Sequence, residues 1–172
     1  MSERNQGGAD DGRGAFSSAQ AGAAAMTGLE IMRAGIGGAR PGIGRSLNFW
    51  LVSADDGRVV FEGEPGAESL NPLGIIHGGW ALTVIDSACG CATMTILEPG
   101  VGYTTLETKA NMTRAIQSKS GVYRCEGKLL ARGKQIVTAE ASVTGPDGKL
   151  YAHGTSTLMI LRPRDNSARA VP

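Results

Sequence analysis

Apolar residues recur at a spacing of four through the middle of the chain. Trp80, Val84, Ala88, Ala92 and Ile96 form one stripe, and Leu82, Ile85 and Cys89 widen it. The spacing predicts a helix over 79–96. Few charges interrupt it, so it should be buried on most sides, and Pro99-Gly100 should stop it. On either side the period falls to two. Leu47, Phe49, Leu51 and Ser53 alternate with Asn48, Trp50 and Val52, which predicts a strand without a clean polar face. Asp55-Asp56-Gly57 is a turn signal, and 58–64 returns as the second arm of a hairpin. After the helix, 103–113 alternates, with Leu106, Ala110 and Met112 on one face and Thr105, Glu107, Lys109 and Asn111 on the other. Strands over 122–131 and 135–143 flank a turn at Arg132-Gly133-Lys134. In the second, Val137, Ala139, Ala141 and Val143 make one apolar face. Gly145 to Gly148 is a further turn, and 150–161 is the last strand.

The ends carry less pattern. Residues 1–25 are rich in Gly, Ala, Ser and Gln without a period and read as a disordered tail; 163–172 read as a polar tail. A short helix is expected over 27–34. The glycines and proline from Gly35 to Gly44 should break any regular element there. Between the tails, 26–162 reads as one domain: a hairpin, a long apolar helix, then four strands joined mainly by short connections. Short connections imply antiparallel pairing, and one buried helix needs a sheet wrapped around it, so the expected class is α+β.

Composition narrows the function classes. Hydrophobic residues make up 41% and no apolar run reaches membrane-spanning length, so neither a transmembrane helix nor a membrane partner is expected. The start lacks a basic segment followed by an apolar run, which leaves a cytoplasmic location as the expectation. A formal net charge of +1 gives no field to attract nucleic acid. Three cysteines, Cys89, Cys91 and Cys125, argue against a disulfide framework, and with only His77 and His153 as histidines they do not make a zinc site. Buried, unreactive thiols are expected.

Candidate chemistry gathers at the start and middle of the long helix. Gly78-Gly79 at a helix start leaves backbone N–H groups unobstructed at the positive end of the dipole, suited to an anion or an oxyanion; tight loop packing is the plainer explanation. Asp86 sits among Ile85 and Ala88 in the most apolar element, where a carboxylate is costly and Asp is a poor helix former. It is a candidate catalytic acid, the alternative being a structural Asp that accepts backbone or Thr hydrogen bonds. Gly90, one turn on, either leaves room for a substrate or lets the helix approach the sheet. Gly78 and Asp86 are eight positions apart, about 12 Å of helix. Both groups must lie about 3 Å from one reacting carbonyl, so either the loop folds back or a second chain completes the site.

Asn71-x-x-Gly74-x-x-His77-Gly78-Gly79, with an acidic residue seven positions later, resembles the PaaI-type branch of the hotdog thioesterases. The resemblance spans roughly 42–161 and includes Gly100 to Glu107 and Asp147 to His153. It implies a hotdog fold and hydrolysis of acyl-CoA thioesters by a homodimer or a dimer of dimers, without metal or cofactor. It further implies Asp86 as the catalytic carboxylate, acting as base or nucleophile, and Gly78 N–H as the oxyanion donor. Asn71 would contact the thioester or attacking water from the neighbouring chain, His77 would shape the turn, and Thr105 would orient water. For the CoA phosphates, Arg132, Lys134 and Arg162 are the candidates by position, with Arg114 behind them. Two rivals are a hotdog hydratase, whose Asp-x-x-x-x-His signature fails because Cys91 stands at the histidine position, and a non-catalytic acyl-CoA binding module. Gly-x-Ser-x-Gly and nucleotide-loop motifs are absent. The acyl group is not legible: the resemblance implies an aryl or medium-chain acyl group, and aryl-acetyl, benzoyl and medium-chain acyl groups all remain open.

Overall fold

The computed structural model describes residues 25–40 and 42–163. The two expected tails lie outside these residues, apart from Ala25 and Pro163. The elements run α1 (Gly28–Ala34), α2 (Gly42–Ser46), β1 (Phe49–Asp55), β2 (Arg58–Gly63), a 3-10 turn (Ala67–Ser69), α3 (Gly78–Met94), β3 (Gly102–Met112), β4 (Tyr123–Arg132), β5 (Ile136–Thr144) and β6 (Leu150–Leu161). Thr27 caps α1 in a reciprocal capping box with Glu30, which is why so short a helix holds. α2 corrects the expectation of an irregular 35–44 segment. Gly44 is buried against the Phe49 carbonyl, so tertiary packing overrides the low helix propensity of glycine there.

Six strands form one antiparallel sheet in the order β1-β2-β4-β5-β6-β3 around the apolar α3. Trp80, Ala81, Val84, Ile85, Ala88, Cys89 and Ala92 are buried on several sides of α3, as the near-continuous apolar pattern demands. They meet Val137, Ala139, Ala141 and Val143, the predicted inner face of β5. Glycine sets the distance between layers: a methyl group on Gly127 would lie 2.5 Å from the Ala88 carbonyl oxygen. The predicted turns are present, with Gly57 and Gly148 at φ +70 and +72.

Two expectations need correction. β3 does not pair with β4, its neighbour in sequence, but with β6 at the far edge. The segment 113–122 carries the chain back across the sheet, pinned where Ile76 N–H donates to the carbonyl of buried Ile116 at 3.0 Å. The simple alternation of β3 also fails. A bulge between Thr105 and Glu107 makes Leu106 the extra residue and leaves it exposed. Thr105 and Thr108, three apart, consequently face α3 together.

Candidate active site

The loop before α3 builds one half of the site. His77 has extended backbone and caps the helix, its Nδ1 accepting from Gly79 N–H at 2.8 Å. That role puts the neutral ring's proton on Nε2. A methyl group on Gly79 would come within 2.9 Å of the same nitrogen, so glycine is what permits the cap. His77 O accepts from Trp80 N–H at 2.9 Å. Gly78 N–H finds no acceptor among the described residues, so it is a free donor at the positive end of a 17-residue helix.

Asn71 ties the loop down with one end of its amide. Oδ1 accepts from Leu73 N–H at 2.9 Å and Ile75 N–H at 3.3 Å, which assigns the oxygen. The Nδ2 group therefore faces away from these bonds with no acceptor among the described residues. Asn71 and Gly78 line one cleft with Met112 and Arg114.

Asp86 opens into a different cleft, with Thr83, Thr105, Leu106 and Thr108. It is half-buried rather than buried, because α3 turns this face toward the edge strand and not toward the sheet centre. Thr105 Oγ1 and Thr108 Oγ1 both donate to Oδ1, at 3.1 and 2.7 Å. Oδ2 has no partner among the described residues. Behind Thr108 lies Ser156, its Oγ 2.8 Å from Thr108 Oγ1 and 2.9 Å from the Glu107 carbonyl. Two hydroxyl protons thus serve three contacts. Thr108 spends its proton on Asp86, so Ser156 can give its own either to Thr108 Oγ1 or to the Glu107 carbonyl. The resemblance singles out Thr105 as a hydroxyl that orients water, and here it donates to Asp86; Thr108 and Ser156 were missed, since only the bulge puts both threonines on one face.

Of the remaining candidates, Gly90 leaves no room for a ligand. A methyl group there would lie 2.6 Å from Tyr103 Oη, so the space is filled by that ring. Arg132 and Lys134, exposed on the β4–β5 turn, and exposed Arg162 after β6 lie at one end of the sheet, where Ile160 N–H donates to the Gln135 carbonyl. None of the three lines either cleft, whereas Arg114 lines the one with Gly78. Cys89 and Cys125 are buried and Cys91 half-buried, all as free thiols. Burial first, and then the Asp86 charge, push the Cys89 and Cys91 thiols up to about 12, so both stay protonated.

An antiparallel sheet around one central helix is the hotdog arrangement. The chain matches the family model described as thioesterase superfamily over residues 73–152, and it belongs to that family. It is 29% identical over 118 residues to a putative esterase of Saccharolobus solfataricus, covering 69% of this chain and 82% of that protein. It is 30% identical over 109 residues to acyl-coenzyme A thioesterase 13 of Homo sapiens, covering 62% of this chain and 76% of that protein. Among solved structures, a protein from Ralstonia eutropha described as a putative thioesterase, phenylacetic acid degradation-related, superposes with a TM-score of 0.68 at 24% identity, covering 78% of this chain and 99% of that one. Among the described residues, no helix is long and apolar enough to cross a membrane.

Proposed function

We propose that this chain hydrolyses acyl-CoA thioesters to the free acid and CoA, in a symmetric pair of chains that share each site. The observation that carries the reading is the separation of unspent polar atoms. Gly78 and Asn71, with the Gly78 N–H and Asn71 Nδ2 unpartnered among the described residues, line one cleft, and Asp86, with Oδ2 unpartnered among them, lines another. One chain offers an oxyanion donor without an acid, and elsewhere an acid without a donor. The name of the human relative supplies the substrate class.

β3 offers the join. It is an edge strand pairing only with β6 among the described residues, with Leu106 and Met112 exposed along it. Antiparallel pairing of β3 with its copy can set Met112, beside Gly78, against the partner's Thr105. Each site would then hold Gly78 and Asn71 from one chain and the Asp86 carboxylate from the other.

In this arrangement Asp86 Oδ2 takes a proton from water as the water oxygen attacks the thioester carbon. Gly78 N–H receives the oxyanion, with Asn71 Nδ2 beside it. Collapse breaks the C–S bond, and the proton held by Asp86 passes to the departing sulfur. Thr105 and Thr108 go on donating to Oδ1 while Oδ2 holds the proton, so the Thr108–Ser156 chain need not rearrange during the step. Direct attack by Oδ2, giving an anhydride that water opens, balances equally well. Label found in Asp86 after single turnover in ¹⁸O-water marks direct attack with water opening the anhydride at the Asp86 carbon. Arg132, Lys134 and Arg162 remain the proposed phosphate contacts, joined by Arg114 from the Gly78 cleft.

The test is hydrolysis of an acyl-CoA panel with a thiol-trapping dye. Asp86→Asn should keep the fold and lose kcat by about 10²-fold or more. Near-normal turnover by that variant would remove Asp86 from the chemistry.

A further inference from the structure

We propose that the acyl group lies in an apolar chamber walled by the N-terminal segment of the same chain, and that this chamber selects for large, uncharged acyl groups. This rests on the hydrolase reading above and names the substrate class for it. The chamber has a volume of about 790 Å³, on the scale of sites that enclose whole ligands. α1 and α2 close it on one side, β1 and β2 on another, with Met32, Ile43, Trp50, Leu51 and Phe61 among its walls. From α3 it receives Ser87 and Cys91.

Two observations connect it to the Asp86 cleft. Ile43 lines both cavities, so they meet at that side chain. Ser87 follows Asp86 on α3, about 100° around the helix, and Cys91 continues the Ser87 row one turn on. A thioester carbonyl held beside Asp86 can thus direct its acyl chain past Ile43.

The chemistry of the wall selects the class. Among the described residues its only charge, Arg40, is already stacked on Trp50 at 4.4 Å and hydrogen-bonded to Asn48 Oδ1. The Cys91 thiol stays neutral, its pKa raised to about 12 by burial and by Asp86. A charged acyl group would lose its hydration without a free partner, whereas each methylene buried adds affinity. Apart from Ser87 and Cys91, every wall residue precedes residue 73, where the family model's match begins. The part of this chain outside the matched segment is therefore what sizes the acyl group.

The experiment measures binding without turnover, using S-decyl-CoA and S-ethyl-CoA, thioethers that cannot be hydrolysed. The full chain should bind the decyl compound about 10²-fold or more tightly, because a buried methylene contributes up to about 4-fold, the ratio set by about 0.8 kcal/mol. Cys91→Phe fills the chamber from α3, and Ile43→Trp blocks the passage from the exposed side. Ile43 is 54% exposed, so that variant keeps the fold even where Cys91→Phe does not. A fall of at least 10-fold in the decyl-to-ethyl ratio in either folded variant supports the chamber. A wild-type ratio near one, or a ratio preserved in both variants, overturns it. Chamber-dependent binding with no hydrolysis of any acyl-CoA would sink the hydrolase reading alone; hydrolysis with a ratio near one would sink the chamber alone.

Discussion

Thr108 Oγ1 stands 2.7 Å from Asp86 Oδ1 and 2.8 Å from Ser156 Oγ, so it fixes the carboxylate and links it to the sheet behind. Under the proposed mechanism this aims Oδ2 at the attacking water while Thr108 never touches the substrate. Thr108→Val keeps the shape and removes the hydroxyl. It should lower kcat by roughly 10-fold while KM changes less than 3-fold, because what is lost is alignment in the transition state. Thr108→Ser should restore most of the loss, since it returns the hydroxyl at the cost of one methyl. A parallel rise in KM, or no rescue by serine, would make Thr108 a packing residue only. The opposite lesson comes from Asn71. Its oxygen is spent on Leu73 and Ile75, so only the amide nitrogen is left for chemistry, a distinction the residue's name does not contain.

At the scale of elements, α3 lies so close to β4 that Gly127 meets the Ala88 carbonyl. A side chain there cannot be absorbed by rotating a flexible neighbour, since the obstacle is backbone. Gly127→Ala should cost about 3 kcal/mol, with a fall in Tm of roughly 6–12 °C by thermal unfolding. A change under 2 °C would show that the helix can lift from the sheet, and with it the geometry between α3 and β3 would be adjustable. β3 meets the same helix through its bulge. Leu106, the extra residue, turns outward, and the two threonines on either side reach the helix together.

At the scale of the whole molecule, the question is whether two chains complete each site. With Leu106 counted as the extra residue, Lys109 lies three positions from Met112 and three from Thr105. The pairing that joins those two ends places Lys109 on the two-fold axis. Opposed Cα atoms in antiparallel strands lie about 4.5–5.5 Å apart, within disulfide range. Lys109→Cys should therefore form a covalent dimer on mild oxidation, seen on a non-reducing gel, while Gln117→Cys, in the connection beyond β3, should not. Equal crosslinking at both positions would remove the β3 pairing. Subunit mixing tests the site itself. Asp86→Asn and Asn71→Ala proteins, each nearly inactive, are unfolded and refolded together. In a mixed dimer one site carries both changes and the other neither, so roughly a quarter of normal activity should return from random pairing. If mass analysis confirms mixed dimers and activity stays at the parental level, Asn71 and Asp86 act within one chain.

The sequence by itself determined the central helix, because a near-unbroken apolar stripe at helical spacing has no other stable place than inside a sheet. It also determined the turns at Gly57 and Gly148, where the backbone needs positive φ, and the composite of Asn71, His77, Gly78 and Asp86, whose spacing along the chain is a local property. Only the tertiary structure decided the partner of β3, since Ile116 has to find Ile76 before the chain can recross the sheet. It alone decided that Tyr103 fills the room beside Gly90, that a bulge brings Thr108 to Asp86, and that α1 and α2 close a chamber over α3. Each of these depends on atoms far apart in the chain meeting at a few ångströms, and residue spacing carries no record of that.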